Sequence, residues 1–199
     1  MSGAEAEQIA GIVLAAGASS RMGRNKMLLA LEGETLVRRA ARLALAAGLA
    51  PVVVVVGFEE ERVRRELEGL DCQTATNLDY TGPTSGSLHA GLHVLAPEVG
   101  AATVILADMV RVSADMLRDL VAATKASTAP LFVSRYGDVT APPLLFRRAL
   151  FRELLDWHGE GCGKTVVRAH AHEAVYLDWP TGALADIDTP EDFVRAGGR

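Results

Sequence analysis

A chain of 199 residues, 49% hydrophobic, is long enough for one domain with a sizeable core, and its formal charge of −5 argues against nucleic-acid binding through general electrostatics. Cys72 and Cys162 form neither a disulfide framework nor a zinc spacing, so reduced thiols are expected. No apolar run approaches the ~18 residues of a membrane span, and MSGAEAEQ has neither the basic flank nor the apolar core of a signal peptide, so a cytoplasmic protein with no membrane or nucleic-acid partner is expected.

In chain order, residues 1–8 are expected to be flexible, and IAGIVL (9–14) reads as a buried strand. The stretch 34–48 reads as a helix: Leu36, Ala40, Leu43, Ala44 and Ala47 keep helical spacing, and Gly48 sits where a terminating glycine belongs. PVVVVVG (51–57) is apolar on both faces, as a parallel strand covered by helices on each side must be. A short amphipathic helix over 60–69 turns Val63 and Leu67 inward and solvates its charges. CQTAT (72–76) suits an edge strand, SLHAGLHVL (87–95) a helix and ATVILAD (102–108) another buried strand. Ser113 reads as the N-cap of ADMLRDLVAATK. PLFVSRY, PPLLF and EAVYLD are later strands, with RALFRELLDW a helix between two of them. This alternation predicts a doubly wound α/β fold, a mostly parallel sheet in one domain covering residues 1–199.

The loop LAAGASSRMGRNK (14–26) follows the first strand, where ligands of open α/β sheets bind. Its small residues allow close backbone approach, and successive N–H groups can form an anion nest. Arg21 can grip phosphate oxygens with two prongs, and Lys26 supplies a point charge. Several cationic contacts suit a triphosphate. Two other phosphate motifs do not apply. The glycines of the loop lack dinucleotide spacing, and in GEGCGKT (159–165) the first P-loop position falls on His158.

LAAGASSRMGRNKMLL resembles the signature of the molybdenum-cofactor nucleotidyltransferases, MobA-like proteins with a Rossmann-like fold. The double alanine is similar to the cytidylyltransferase branch, whereas the guanylyltransferases more often read LAGG. GSLHAGL (86–92) resembles the family's segment near the nucleotide base, LADM (106–109) its metal-binding Leu-Gly-Asp-Gln, and DIDTPEDF (186–193) its closing Asp-Ile-Asp-Thr-Pro.

The resemblance implies a nucleotide site of Leu14, Ala15, Ala16, Gly17, Ser19, Arg21, Met22, Gly23, Lys26 and Ser87, with Arg21, Lys26 and Asp108 catalytic and Mg²⁺ on Asp108 and Asp188. The implied reaction moves a nucleoside monophosphate from a triphosphate, CTP favoured over GTP, to a phosphorylated acceptor such as molybdopterin. Each residue also has a local role open to it. Asp108 can cap a turn, Ser87 can cap its helix, and Thr189-Pro190-Glu191-Asp192 reads as N-cap, N1 proline and acidic first turn. His170 with His172 and His89 with His93 have metal-pair spacing but no third ligand nearby, and Cys162 has no activating partner in the sequence.

The acceptor side departs from the family. Ala107-Asp108-Met109-Val110 replaces Gly-Asp-Gln-Pro, Pro142-Pro143 replaces His-Pro, and Gly159 to Lys164 replaces Gly-Asp-x-Gly-Ala-Arg. With Gln and Pro gone, Met109 and Val110 are expected to make acceptor recognition more apolar. Two further readings follow: an NAD(P)H-dependent reductase of a pigment-like substrate on the same fold, and a nucleotide-binding protein without turnover.

Overall fold

The computed structural model describes residues 7–198. In chain order the elements are β1 (Gln8–Leu14), a small hairpin of β2 (Ala30–Leu31) and β3 (Glu34–Thr35), α1 (Leu36–Ala46), β4 (Val52–Val56), α2 (Glu60–Glu66), β5 (Gln73–Thr76), α3 (Thr84–His93) and β6 (Val99–Leu106). There follow α4 (Ala114–Ala126), β7 (Leu131–Tyr136), β8 (Val139–Arg147), α5 (Phe151–Asp156), α6 (Cys162–Ala169), β9 (Val175–Trp179) and α7 (Pro190–Arg195).

Seven strands form one sheet in the order β5-β4-β1-β6-β8-β7-β9. Only β8 runs against the rest, because a two-residue turn at Gly137-Asp138 joins it to β7 and such a turn can link only antiparallel neighbours. The valines of β4 show why helices must cover both faces. Val54 and Val56 enter a core with α1, α2 and α4, while Val53 and Val55 enter a second core with α3, α5 and α6. This is the doubly wound, mostly parallel α/β fold expected from the pattern.

Four local readings change. Of residues 1–8, expected to be flexible, Glu7 and Gln8 are fixed in the fold: Gln8 pairs with Val99 in the sheet and the Glu7 carboxylate meets Arg147, while residues 1–6 lie outside the described residues. The helix expected from Ser87 starts at Thr84, so Ser87 is an interior helical residue and not a cap. The helix expected over 34–48 starts at Leu36, because Glu34 and Thr35 pair in the hairpin. Finally, α6 is absent from the sequence-based reading, since the glycines on either side of Cys162 mask its short apolar stripe of Val166 and Val167.

The chain runs outward from β1 to β4 and β5, then returns to β6 on the other side of β1. The crevice for ligands therefore opens between the carboxyl ends of β1 and β6, whose last residues, Leu14 and Leu106, are register partners. Helix α3 reaches the floor of this region through Gly91, where a Cβ would stand 2.5 Å from Ile12 Cγ2 and 3.1 Å from Val55 Cγ2. We expect Gly91→Ala to cost about 1–3 kcal/mol in denaturant unfolding, the usual penalty for overpacking. Gly17→Ala, which meets nothing within 4 Å, should leave the midpoint unchanged.

Candidate active site

The loop after β1 is shaped by its own residues. Ala15 and Ala16 are buried, held by hydrogen bonds from Ala15 N–H to Val55 O (2.9 Å) and from Phe58 N–H to Ala16 O (3.0 Å). Gly57 must lack a side chain here, because a Cβ would lie 2.9 Å from Ala16 O. Ser19 takes left-handed backbone angles, φ 53° and ψ 35°, and its hydroxyl accepts from Lys26 N–H at 3.1 Å. Asn25, also buried, donates to Phe58 O at 2.9 Å and accepts from Met27 N–H at 3.0 Å. These bonds make the loop double back so that the Lys26 side chain returns to the sheet edge. Among the described residues, no backbone acceptor takes the N–H groups of Ala16 to Ser19, which leaves them available for an anion.

Asp108 and Asp188 come from distant parts of the chain. The turn after β6 is joined to the stretch 185–188: Met109 forms an antiparallel bridge with Asp186, Val110 N–H donates to Ala185 O at 3.2 Å, and Ile187 N–H donates to Asp108 O at 3.1 Å. Ile187 is buried with Met22, Leu29, Leu31, Leu36, Val110 and Phe193, so one small core seats the loop, the hairpin and the tail together. Thr189 and Asp192 close a capping box on α7, with Pro190 in the first turn as the sequence implies.

All three segments meet at Lys26. Its ammonium lies 2.5 Å from Asp108 Oδ2 and 3.0 Å from Asp188 Oδ1, and donates to Ile187 O at 3.0 Å; Arg21 reaches Asp188 Oδ2 at 2.9 Å. Burial lowers the Lys26 pKa, but the Asp108 and Asp188 carboxylates outweigh it and hold the ammonium above its ordinary value.

Beside this cluster lies a cavity of about 630 Å³. Of the expected site residues, Leu14, Ala15, Ala16, Gly17, Lys26, Ser87 and Asp108 line it. Ser19, Arg21, Gly23 and Asp188 are not among its lining residues; Ser19 and Asp188 contact Lys26, Arg21 contacts Asp188, and Met22, 6% exposed, packs into the small core. Met22 therefore supports the loop from below and does not present a side chain to a ligand. The far wall is formed by Pro142, Leu144, Phe146 and the stretch 160–164. That stretch is tied to α3 by Gly159 N–H donating to Ser85 Oγ (3.1 Å) and by the Thr84 hydroxyl donating to Glu160 (3.0 Å).

Other expectations are corrected. The side chains of Met109 and Val110 point into two separate cores and line none of the cavity, and Val110 N–H is already bonded. They cannot recognise an acceptor directly, and a proline at 110 would break the joint with Ala185. His170 is held by Glu153 and Glu173, which raise its pKa; His89 bonds Leu154 O at 2.9 Å, and His93 is exposed. Among the described residues no cluster of three or more metal-binding side chains occurs. The Cys162 thiol lies in the cavity wall, donates to Leu154 O and is pushed up to about 11 by burial, with Glu153 adding to the rise, so it is a poor nucleophile. Sequence reasoning missed Asn25 and Asn77, two buried asparagines whose only signal was a polar residue at a turn.

The family description "MobA-like NTP transferase domain" matches residues 11–175. The chain is 30% identical over 194 residues to the purine catabolism protein PucB of Bacillus subtilis, covering 92% of this chain and 93% of that protein. It is 29% identical over 194 residues to a molybdenum cofactor guanylyltransferase of Rhodobacter capsulatus, covering 96% of each. The fold is similar to the crystal structure of Rv0371c from Mycobacterium tuberculosis, with TM-score 0.85, 27% identity, and coverage of 96% of this chain and 98% of that one. A complex of the same protein with manganese aligns with TM-score 0.79.

Replacing Lys26 with Met leaves Asp108 without a cation and Asp188 with Arg21 alone. We expect a stability loss of about 1.5–3 kcal/mol at pH 7 in urea unfolding. A raised lysine pKa stabilises fully below the ordinary value of 10.5, and the benefit is lost only as pH rises through the folded value. The gap between wild type and Lys26→Met should therefore hold constant from pH 7 to 9; a gap that closes over this range contradicts the assignment.

Proposed function

The chain belongs to the MobA-like NTP transferase family, and from that premise we propose that it is a nucleotidyltransferase moving CMP from CTP to a phosphorylated acceptor, molybdopterin, with release of pyrophosphate. The observation that carries the proposal is the convergence of Lys26, Asp108 and Asp188 beside a loop of available N–H groups at the switch point of the sheet. Leu14-Ala15-Ala16-Gly17, the double-alanine form, supports CTP; relatives named guanylyltransferases make GTP the competing donor. We read residues 1–199 as one catalytic domain working in the cytoplasm; among the described residues no helix is long and apolar enough to cross a membrane.

The residues fit a divalent cation, because Asp108 and Asp188 already converge on one positive charge, the Lys26 ammonium. Asp108 and Asp188 would hold Mg²⁺, which takes one or two carboxylates and completes its shell with phosphate oxygens and water. When bound, it supplies neutralisation of triphosphate charge. The chain supplies the rest. The N–H groups of Ala16 to Ser19 and the Arg21 guanidinium orient the triphosphate, and Lys26 adds a fixed positive charge where negative charge builds up. The acceptor phosphate oxygen attacks the α-phosphorus, the bond to the bridging oxygen of pyrophosphate breaks, and the electron pair leaves with pyrophosphate. The acceptor phosphate is already ionised, so no side chain need remove a proton. Catalysis is then positioning and charge stabilisation, as in other phosphoryl-group chemistry.

The test supplies purified protein with molybdenum-loaded molybdopterin, Mg²⁺ and either CTP or GTP, and measures pyrophosphate and the dinucleotide product. Product with CTP in preference to GTP is expected. Product with GTP alone reverses the base assignment. Absence of product, with NADPH-dependent reduction of a quinoid dye, replaces the transferase by the reductase.

Two sets of variants test the roles. Asp108→Asn and Asp188→Asn keep side-chain shape and lose charge, and each should lower turnover by about 100-fold or more, by analogy with the loss of one oxyanion-stabilising group. Arg21→Ala removes one charge-assisted contact of about 1.5–3 kcal/mol and should raise KM for the triphosphate at least about tenfold. Wild-type kinetics in all three, with the fold verified, would sink the assignment.

A further inference from the structure

Asn77 follows β5 and is 6% exposed, with its carboxamide turned toward α3. The orientation of that amide is fixed by chemistry. Asp79 N–H, which can only donate, lies 3.0 Å from one of its two outer atoms, so that atom is the oxygen. The nitrogen therefore faces Ser87 Oγ, 3.0 Å away, and donates to it. Ser87 now has an acceptor lone pair occupied and one proton left to place. Among the described residues that proton has no acceptor, although a serine inside a helix can return it to the carbonyl four residues back, here Pro83. Ser87 lines the cavity.

We infer that Asn77 is a positioning residue: by donating to Ser87 Oγ it turns the hydroxyl proton away from itself and leaves it to donate to a carbonyl oxygen or unprotonated ring nitrogen of the bound nucleobase. The inference rests on the nucleotide reading above and adds the atom type the cavity selects. The pair is neutral, which matches a neutral acceptor; the phosphates are served by Arg21, Lys26 and the loop N–H groups. Asn77 is 6% exposed and is not among the residues that line the cavity, so it acts through Ser87.

The polarity can be reversed without dismantling the turn. Asn77→Asp keeps an oxygen for Asp79 N–H but presents a second oxygen to Ser87, which then draws the hydroxyl proton away from the cavity. CTP and inorganic tripolyphosphate are titrated with Mg²⁺ into wild type, Ser87→Ala, Asn77→Asp and the double variant by calorimetry. Each single variant should weaken CTP about tenfold, the upper end for one hydrogen bond, and the double variant no more than either single one. Tripolyphosphate should bind all four proteins equally. Wild-type affinity for CTP in Asn77→Asp, additive losses, or an equal loss for tripolyphosphate overturns the inference while leaving the transferase reading in place. Wild type that binds tripolyphosphate but gains nothing from the base of CTP also overturns it, and wild type that binds neither overturns both. If Asn77→Asp does not fold, Asn77→Ser, whose hydroxyl can still accept from Asp79 N–H, carries the same expectation.

Discussion

Lys26 holds together two carboxylates that lie 82 and 162 residues away along the chain. Without the ammonium Asp108, 18% exposed, would be an unpaired charge and Asp188, 28% exposed, would keep only the exposed Arg21, and charges that far out of water are costly unless paired. The pairing also draws in the Ile187 carbonyl, whose N–H is bonded to Asp108 O. One lysine therefore ties the first loop, the turn after β6 and the tail before α7 into one unit. The small core around Ile187 supplies the rigidity that the ion pairs alone lack, since interactions between partly exposed charges are weakened by solvent.

Much of this was legible from the amino-acid order because local chemistry and global fold agree there. A five-valine run has two apolar faces and so asks for helices on both sides of the sheet. Thr189-Pro190-Glu191-Asp192 starts a helix by a capping mechanism that needs no tertiary contact. Asp108 follows a buried strand, so its emergence at the sheet edge is forced. What stayed hidden depends on partners remote in sequence. Met22 and Val110 look like loop residues until the hairpin and α7 arrive to bury them. Met109 sits beside a site residue in sequence yet faces the opposite way, because successive residues in the bridge to Asp186 alternate sides. Asn77 acquires its meaning only when α3 brings Ser87 to it.

The cavity has a charged end and a mostly uncharged wall, and the two ends come from different parts of the sheet. Lys26 and Asp108 stand at the junction of β1 and β6. Ser87 belongs to α3, which packs under β1 and β4, and Leu144 and Phe146 come from the antiparallel strand β8. The hairpin that reverses β8 places its side chains next to those of β6, so the departure from an all-parallel sheet forms the wall opposite the nucleotide loop. The ties from Ser85 and Thr84 to the stretch 159–160 join the start of α3 to that wall.

This separation bears on how selectivity can arise. Coulomb attraction from Arg21 and Lys26 to a triphosphate is the same whichever base is attached, so it contributes affinity without choice. Choice requires groups whose cost differs between bases, and a buried hydrogen bond with fixed direction is such a group: the wrong partner leaves it unsatisfied. On the proposed reading, the buried Asn77 amide gives the Ser87 hydroxyl that direction. On the proposed reading, binding strength rests with Arg21 and Lys26 of the first loop and base discrimination with Ser87 of α3, so the two come from different elements around one cavity.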